Sequence, residues 1–349
     1  NRLTGRNDSE EFPVPKVEGG GRQLVLNEPD EFQTKYADYL VARAKRLEDL
    51  GRENDPKVDN HLWLMNDARK MALDIRLVDP KAKPGNKTKI NRAATNIKQI
   101  YDKSHADKGT QLVFCDLSTP AKTAEADARA FIRSAAKIAG LDKDAEAQAT
   151  LQGIESYQDQ WAYLYHRIEL EIEAINESRD GETDSHMKRR EELEKFLAEK
   201  ATDSHVSCLT TADTGFSVYD ELRTKLVKMG IPDGEIAFIH DWKAGAKKKE
   251  LFGLVNAGAI RVLIGSTPMM GAGMNAQERM VALHHLDSPW RPSDVEQREG
   301  RLVRQGNVLY EIDPENFRAA IYAYSTSGTF DAVMWQILDR KQQMLDDFR

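Results

Sequence analysis

Residues 262–307 read VLIGSTPMMGAGMNAQERMVALHHLDSPWRPSDVEQREGRLVRQGN, and the order of elements within this stretch decides the fold. Residues 260–265 form a short apolar run rich in β-branched side chains, the pattern of a strand buried in a parallel sheet. A loop containing Gly271, Gly273 and Asn275 follows. Glycine there lets the backbone take conformations closed to other residues and approach a phosphate or a nucleic-acid strand closely. Residues 281–286 are the next strand. After the turn Ser288-Pro289-Trp290-Arg291-Pro292, Ser293 or Asp294 can cap a helix expected over 294–304. Gln297, Gly300, Arg301 and Arg304 recur at steps of three and four, so they share one face of that helix, and Gly300 leaves room for a close neighbour.

Outward from this stretch the alternation continues. Strands are expected at 235–240 and 318–324, and helices at 247–257 and 330–348, an α/β class with a parallel sheet covered by helices on both faces. Functional loops then collect at the carboxyl ends of the strands. Upstream, 111–116 (QLVFCD) is a buried-strand candidate, and the helix that should follow it directly appears only at 216–229. The lobe is therefore expected to comprise 109–118 and 215–349, interrupted by a large helical insertion over 119–214. Within the insertion the spacing predicts one helix around Phe131 and Ile138, a longer one from Leu151 to Ile175, a polar turn at 178–185 and a returning helix around Leu193 and Phe196. The insertion reads either as an elaboration packed on the lobe or as an arm for a protein partner.

Residues 30–108 form a helical segment and basic linker, with helices expected at 31–51 and 61–74. The linker, KAKPGNKTKINR over 81–92, carries Lys81, Lys83, Lys87, Lys89 and Arg92 and no acid. It suits either a nucleic-acid contact or a solvated loop entering the next helix. Residues 1–29, with Gly19-Gly20-Gly21, read as a flexible lead-in. The chain opens on Asn1 and is expected to be a piece of a longer polypeptide.

The 349 residues exceed one typical domain. Hydrophobic residues make up 40% and charged residues 31%, a globular rather than disordered or membrane composition. No run approaches the roughly 18 apolar residues of a membrane span and no signal-peptide pattern opens the chain. Cys115 and Cys208 are too few for a disulfide framework or a zinc site, which fits a reducing cytoplasm. The net charge of −7 argues against indiscriminate nucleic-acid binding, so any contact must be a local basic patch. His240 with Asp241, and His284 with His285, lack spaced partners for a metal site. Trp290 could stack on a base or serve as a packing anchor.

The order strand, glycine loop, strand, Trp-Arg-Pro turn and Gln-x-x-Gly-Arg-x-x-Arg resembles the second RecA-like lobe of superfamily 2 helicases and translocases, most closely the Swi/Snf-type branch. The resemblance implies that Gly271, Gly273 and Asn275 belong to the glycine-bearing motif V. It also implies that Gln297, Gly300, Arg301 and Arg304 belong to motif VI, with Arg301 and Arg304 as arginine fingers aimed at a γ-phosphate. Ser266, Thr267 and the Lys87, Lys89 and Arg92 patch would then lie on the nucleic-acid track. The runs around Gly230-Ile231-Pro232 and Leu283-His284-His285-Leu286-Asp287 are similar to the helicase region of phage- and plasmid-borne polypeptides. Those join an adenine-specific methyltransferase to a Swi/Snf-like motor linked to restriction-modification. The methyltransferase tetrad is absent here.

Neither a Gly-x-x-x-x-Gly-Lys-Ser/Thr phosphate loop nor an Asp-Glu-x-His or Asp-Glu-x-Asp tetrad occurs; Asp30-Glu31-Phe32-Gln33 comes nearest to the latter. The expectation is a partial motor. ATP and Mg²⁺ would sit on an N-terminal lobe of the same parent, with none bound to this chain alone, which should be inactive. DNA and that lobe are the expected partners, with a protein partner for the insertion and no membrane. The glycine loop and the Thr267-Pro268 turn would report nucleotide state to the strand. The alternative is an inactive helicase-like scaffold that binds a protein partner through its insertion.

Overall fold

The computed structural model describes residues 13–50, 61–85, 87–177, 184–242, 245–270 and 274–347. Among these, seven strands make one wholly parallel sheet: β1 (Lys16–Val17), β2 (Gln23–Asn27), β3 (Thr110–Phe114), β4 (Ile236–Phe238), β5 (Val262–Gly265), β6 (Met280–His285) and β7 (Arg318–Thr326). The order is β1-β7-β6-β3-β5-β4, with β2 also paired to β7. Central β3 sets Gln111 against Val262 on one side and Ala282 on the other. From β3 the chain leaves for the β4 edge, whereas from β6 it continues to the opposite edge. The carboxyl ends of β3 and β6 therefore flank a topological switch point, the crevice where open α/β sheets place their sites.

The strands alternate between two buried faces, as a sheet covered on both sides requires. Val113, Cys115, Val262 and Ile264 pack on α3 (Lys89–Lys103) and α9 (Val218–Lys228). Leu112, Phe114, Leu263 and Leu283 face the other way, onto Leu251 and Val255 of α10 (Gly245–Asn256) and onto Leu302. Helix α3 forms because Ile90, Ala93, Ala94, Ile97 and Tyr101 make one apolar stripe, and Thr88 caps it by accepting from the Asn91 amide. Ahead of β5, Gly258 takes φ 70°, and a Cβ there would lie 2.6 Å from that of Lys108. That turn demands glycine.

The α/β class, the flanking N-terminal helices and the large helical insertion are all present. Helices α1 (Glu31–Leu50) and α2 (His61–Leu73) bury Leu40 and Met71 together with Ile75, in the tight turn just past α2. The insertion comprises α4 (Ala121–Ile138), α5 (Ala145–Gly153), α6 (Tyr157–Glu177), α7 (Asp184–Lys200) and α8 (Asp203–Thr214). It has its own core of Ile132, Leu164, Ile168, Leu193 and Leu209. The single helix expected from Leu151 to Ile175 is two. The chain breaks after Gly153, and Asp213 caps the restart, accepting from Ser156 Oγ at 2.9 Å, the Tyr157 amide at 2.8 Å and the Gln158 amide at 2.9 Å. The spacing does not predict helix α8, which carries that aspartate. The expected polar turn falls mostly on 178–183, outside the described residues.

The expected lead-in needs a larger correction. Residues 1–12 lie outside the described residues, but β1 and β2 follow one another along the outer edge of β7. Arg22, between them, binds Glu299 at 2.6 Å and Asp339 at 2.5 Å, with its guanidinium 4.7 Å from the centre of the Trp335 ring. Strand β1, with two residues, is too short to show a period, and the glycine and proline around it obscure the five-residue β2. Helix α12 (Pro292–Glu299) also departs from the expected 294–304 span. It starts early because Pro292 suits the first turn, and it ends at Gly300. Helix α14 (Phe330–Asp347) closes the lobe, packing Trp335 and Leu338 on Val295 and Ala323. No helix among the described residues is long and apolar enough to cross a membrane.

Candidate functional site

Three strand-end loops and α12 meet at the switch point, and Arg298 joins them. Its side chain is fully buried. Arg298 Nη2 donates to Asp116 Oδ2 at 2.7 Å, just past β3, and to Asp287 Oδ1 at 3.2 Å, just past β6. Nε donates to Thr267 Oγ1 at 2.7 Å, past β5, and Nη1 to the Asp287 carbonyl at 3.0 Å. The acids bind further. Asp116 accepts from the Thr267 amide at 2.6 Å and from its hydroxyl at 2.8 Å, while Asp287 Oδ2 accepts from the amides of Asp116 and Leu117 at 2.5 and 2.8 Å.

Burial raises the Asp116 pKa, but Arg298 and the Thr267 bonds outweigh it and hold the carboxyl below its ordinary value. For Asp287 burial dominates and pushes the value up. One guanidinium thus clasps β3, β5 and β6 at their carboxyl ends. A charge this deep is tolerable only because every face of it is hydrogen-bonded.

Beyond Gly300 the chain tightens. The Arg301 amide bonds back to Arg298 O at 3.1 Å and the Leu302 amide to Glu299 O at 2.9 Å, three-residue closures that end the α-helix. A Cβ at Gly300 would lie 2.9 Å from the Glu296 carbonyl oxygen, which is why glycine suits the end of this helix. The tightened turn swings Arg301 and Arg304 toward the loop after β5, where both donate to one acceptor, the Met274 carbonyl, at 3.3 and 3.2 Å. Burial, and then the neighbouring Arg304 charge, lower the Arg301 pKa. Arg301 and Arg304 therefore come together as expected, though past the helix rather than on its face. Gln297 is exposed on α12.

Gly271 and Gly273 lie outside the described residues. Asn275, just after them, is exposed and accepts from Asn256 Nδ2 through its carbonyl at 3.0 Å. Ser266 and Thr267, expected on a nucleic-acid track, are both buried, Thr267 within the Arg298 cluster. Lys87 and Arg92 are exposed. Lys89 is buried in an ion pair with Asp331 and directs its ammonium toward the Leu286 carbonyl, so it belongs to the lobe's interior. That contact also sets the start of α3, with its exposed basic neighbours, at the carboxyl edge of the sheet.

The histidines are structural. His284 lies in the sheet between the Tyr324 hydroxyl at 2.9 Å and Gln111 Oε1 at 3.0 Å, and burial, then His285, lower its pKa to about 3. His285, 3.3 Å from Glu299, is brought down to about 4 by burial, which Glu299 only partly opposes. The Trp290 ring carries the Arg69 guanidinium 4.3 Å from its centre. Arg298 is the residue that sequence reasoning passed over. It sits in the same run as the expected fingers, but only the positions of Asp116 and Asp287 at strand ends could have singled it out.

No protein-family model matches the chain, and no curated protein sequence does. Among solved structures, the crystal structure of the C-terminal part of the Fun30 ATPase domain aligns over 96% of this chain and 98% of that one, at 12% identity and a TM-score of 0.36. The Pyrococcus furiosus Hef helicase domain aligns over 95% of this chain at 13% identity and a TM-score of 0.31. This chain spans 60% of the Hef domain's length. Scores at that level carry no weight for function, which the residues of this chain must support themselves.

Proposed function

We propose that this chain is the C-terminal motor lobe of a DNA-dependent ATPase, a Swi/Snf-type helicase or translocase of superfamily 2. The observation that carries the reading is the convergence of Arg301 and Arg304 on the Met274 carbonyl, in the connection between β5 and β6. Two guanidinium groups at one neutral oxygen repel each other, and an anion in front of them relieves the repulsion. A triphosphate does so most in the transition state, when charge develops on the transferred phosphoryl oxygens. Arginine fingers of this kind are worth about 10³ to 10⁵ in rate.

ATP and Mg²⁺ would be held by an N-terminal lobe of the parent polypeptide, which supplies the phosphate loop and the acidic tetrad, and Gln297, exposed on α12, would be available to the same nucleotide. Gly271 and Gly273 precede Met274 in the sequence and Asn275 follows it, so nucleotide-driven movement of the arginines would be passed to that stretch. Ser266 and Thr267 hold the loop's root. The DNA track on this lobe is assigned to Lys87 and Arg92. The parent would be a cytoplasmic polypeptide of restriction-modification type.

The test is DNA-stimulated ATP hydrolysis by the longest parental polypeptide, wild type beside Arg301→Ala and Arg304→Ala, with this chain alone as control. A loss of about 10³-fold or more in both variants, with folding retained and this chain inert, is expected. Variants that hydrolyse like wild type would transfer the case to the inactive scaffold that binds through its insertion.

A further inference from the structure

A cleft of about 770 Å³ opens between the N-terminal helices, the insertion and the strand-end loops. That volume lies within the roughly 300–1,000 Å³ of small-ligand sites. One wall is built by Asp116, Thr267 and Trp290, from the loops after β3, β5 and β6, so the cleft stands at the carboxyl edge of the sheet. Neither Arg301 nor Arg304 lines it.

Lys70 of α2 is 5% exposed, yet it lines the cleft. Among the described residues its ammonium donates to a neutral acceptor, Gln158 Oε1 of α6, at 2.7 Å. Three aspartates act on it at a distance, and each is engaged with other groups: Asp67 with Arg43 at 2.6 Å, Asp203 with Arg69 at 2.5 Å and Asp213 with the amides of Tyr157 and Gln158 at 2.8 and 2.9 Å. Burial accordingly lowers the Lys70 pKa. Among the described residues no carboxylate is hydrogen-bonded to this buried ammonium, which has three donors and one neutral acceptor. Around it the cleft is aromatic, with Tyr36 and Trp63 on the N-terminal helices, Trp161 and Tyr165 on α6, and Trp290 opposite. Such rings offer flat apolar faces with polar edges.

We propose that this cleft binds one nucleotide unit, a planar heteroaromatic base carrying a phosphate, with the phosphate on Lys70 and the base against the aromatic wall. The same chemistry is presented by a free mononucleotide and by one unstacked nucleotide of a DNA strand. The site is independent of the arginine pair and stands whether or not the chain belongs to a motor.

The experiment titrates this 349-residue chain with the common nucleoside monophosphates, with a short single-stranded oligonucleotide and with inorganic phosphate, reading tryptophan fluorescence and heat. Saturable binding of a mononucleotide or of the oligonucleotide is expected, weakened about tenfold or more by Lys70→Met, the loss of one charge-assisted bond. Arg301→Ala should leave it unchanged, which separates this site from the motor reading. Lys70→Met removes a costly buried charge, so the variant should fold at least as well as wild type without ligand. A second variant, Trp290→Leu, should weaken nucleotides but not inorganic phosphate. Binding by the oligonucleotide alone would assign the source to a strand. No saturable binding by either, binding indifferent to Lys70→Met, or inorganic phosphate binding as tightly as the nucleotides would overturn the proposal.

Discussion

Arg298 and Arg304 belong to one short run of sequence and occupy opposite environments. Arg298 is sealed between two carboxylates and a threonine, and Arg304 shares a single neutral carbonyl with another arginine. A charge matched on every side holds a structure together, whereas two guanidinium groups that converge on one neutral carbonyl have the placement expected, under the proposed function, for meeting an anion. Residue type does not separate the two roles; the partners do.

The sharpest way to break this contrast is to remove the matched charge. Arg298→Met leaves Asp116 and Asp287 buried without their cation, and stability should fall by about 3–5 kcal/mol in a denaturant titration. Adding Asp116→Asn and Asp287→Asn to that variant should recover part of the loss. If Arg298→Met were as stable as wild type, the clasp would be no more structural than Arg301 and Arg304.

Acid tests whether the buried charges or the buried histidines govern stability. His284 and His285 have folded pKa values near 3 and 4, against about 6.5 unfolded. Their contribution is complete above pH 6.5 and is lost as pH falls toward 4, because the unfolded chain takes up protons that the native state refuses. Near pH 5 the slope should approach two protons, roughly 2.7 kcal/mol per pH unit. His284→Gln should halve it. Asp116, lowered, adds a loss only at more acidic pH, and Asp287, raised, works in the opposite sense. A slope that His284→Gln leaves untouched would shift the acid response to the carboxylates.

Smaller effects sharpen the contrast between the lobe and its insertion. Asp213→Ala removes the cap of α6 and should cost about 1–2 kcal/mol, detected as earlier hydrogen exchange across 157–165 while the sheet stays protected. Arg22→Ala breaks a partly exposed pair with Glu299, and its cost should be about 1 kcal/mol or less by thermal melting. Loss of protection along β7 in that variant would show that the N-terminal strands hold the sheet edge.

The lobe was legible in the sequence because its strands are buried on both faces and read as unbroken apolar runs, as at Val262 to Gly265 and at Leu112 to Phe114. The arginine pair was legible through its spacing, although the reason given, a shared helical face, was replaced by a tight turn after Gly300. Three things were not legible. Strand β1 is two residues long, too short for any period. The break between α5 and α6 depends on Asp213, distant in sequence from the helix it caps. Lys89 looked like its basic neighbours, and only the long-range pairing with Asp331 removes it from the surface. In each case the deciding contact lies across the fold, where local pattern carries no information.

The most direct test of the division between Arg298 and the pair beyond it is a denaturant titration of this chain in three forms: Arg298→Met, Arg301→Ala and Arg304→Ala. Arg298→Met should lose about 3–5 kcal/mol, while Arg301→Ala and Arg304→Ala should each stay within about 1 kcal/mol of wild type. Equal losses in all three, or a larger loss at Arg304 than at Arg298, would contradict it and make the whole run a structural clamp.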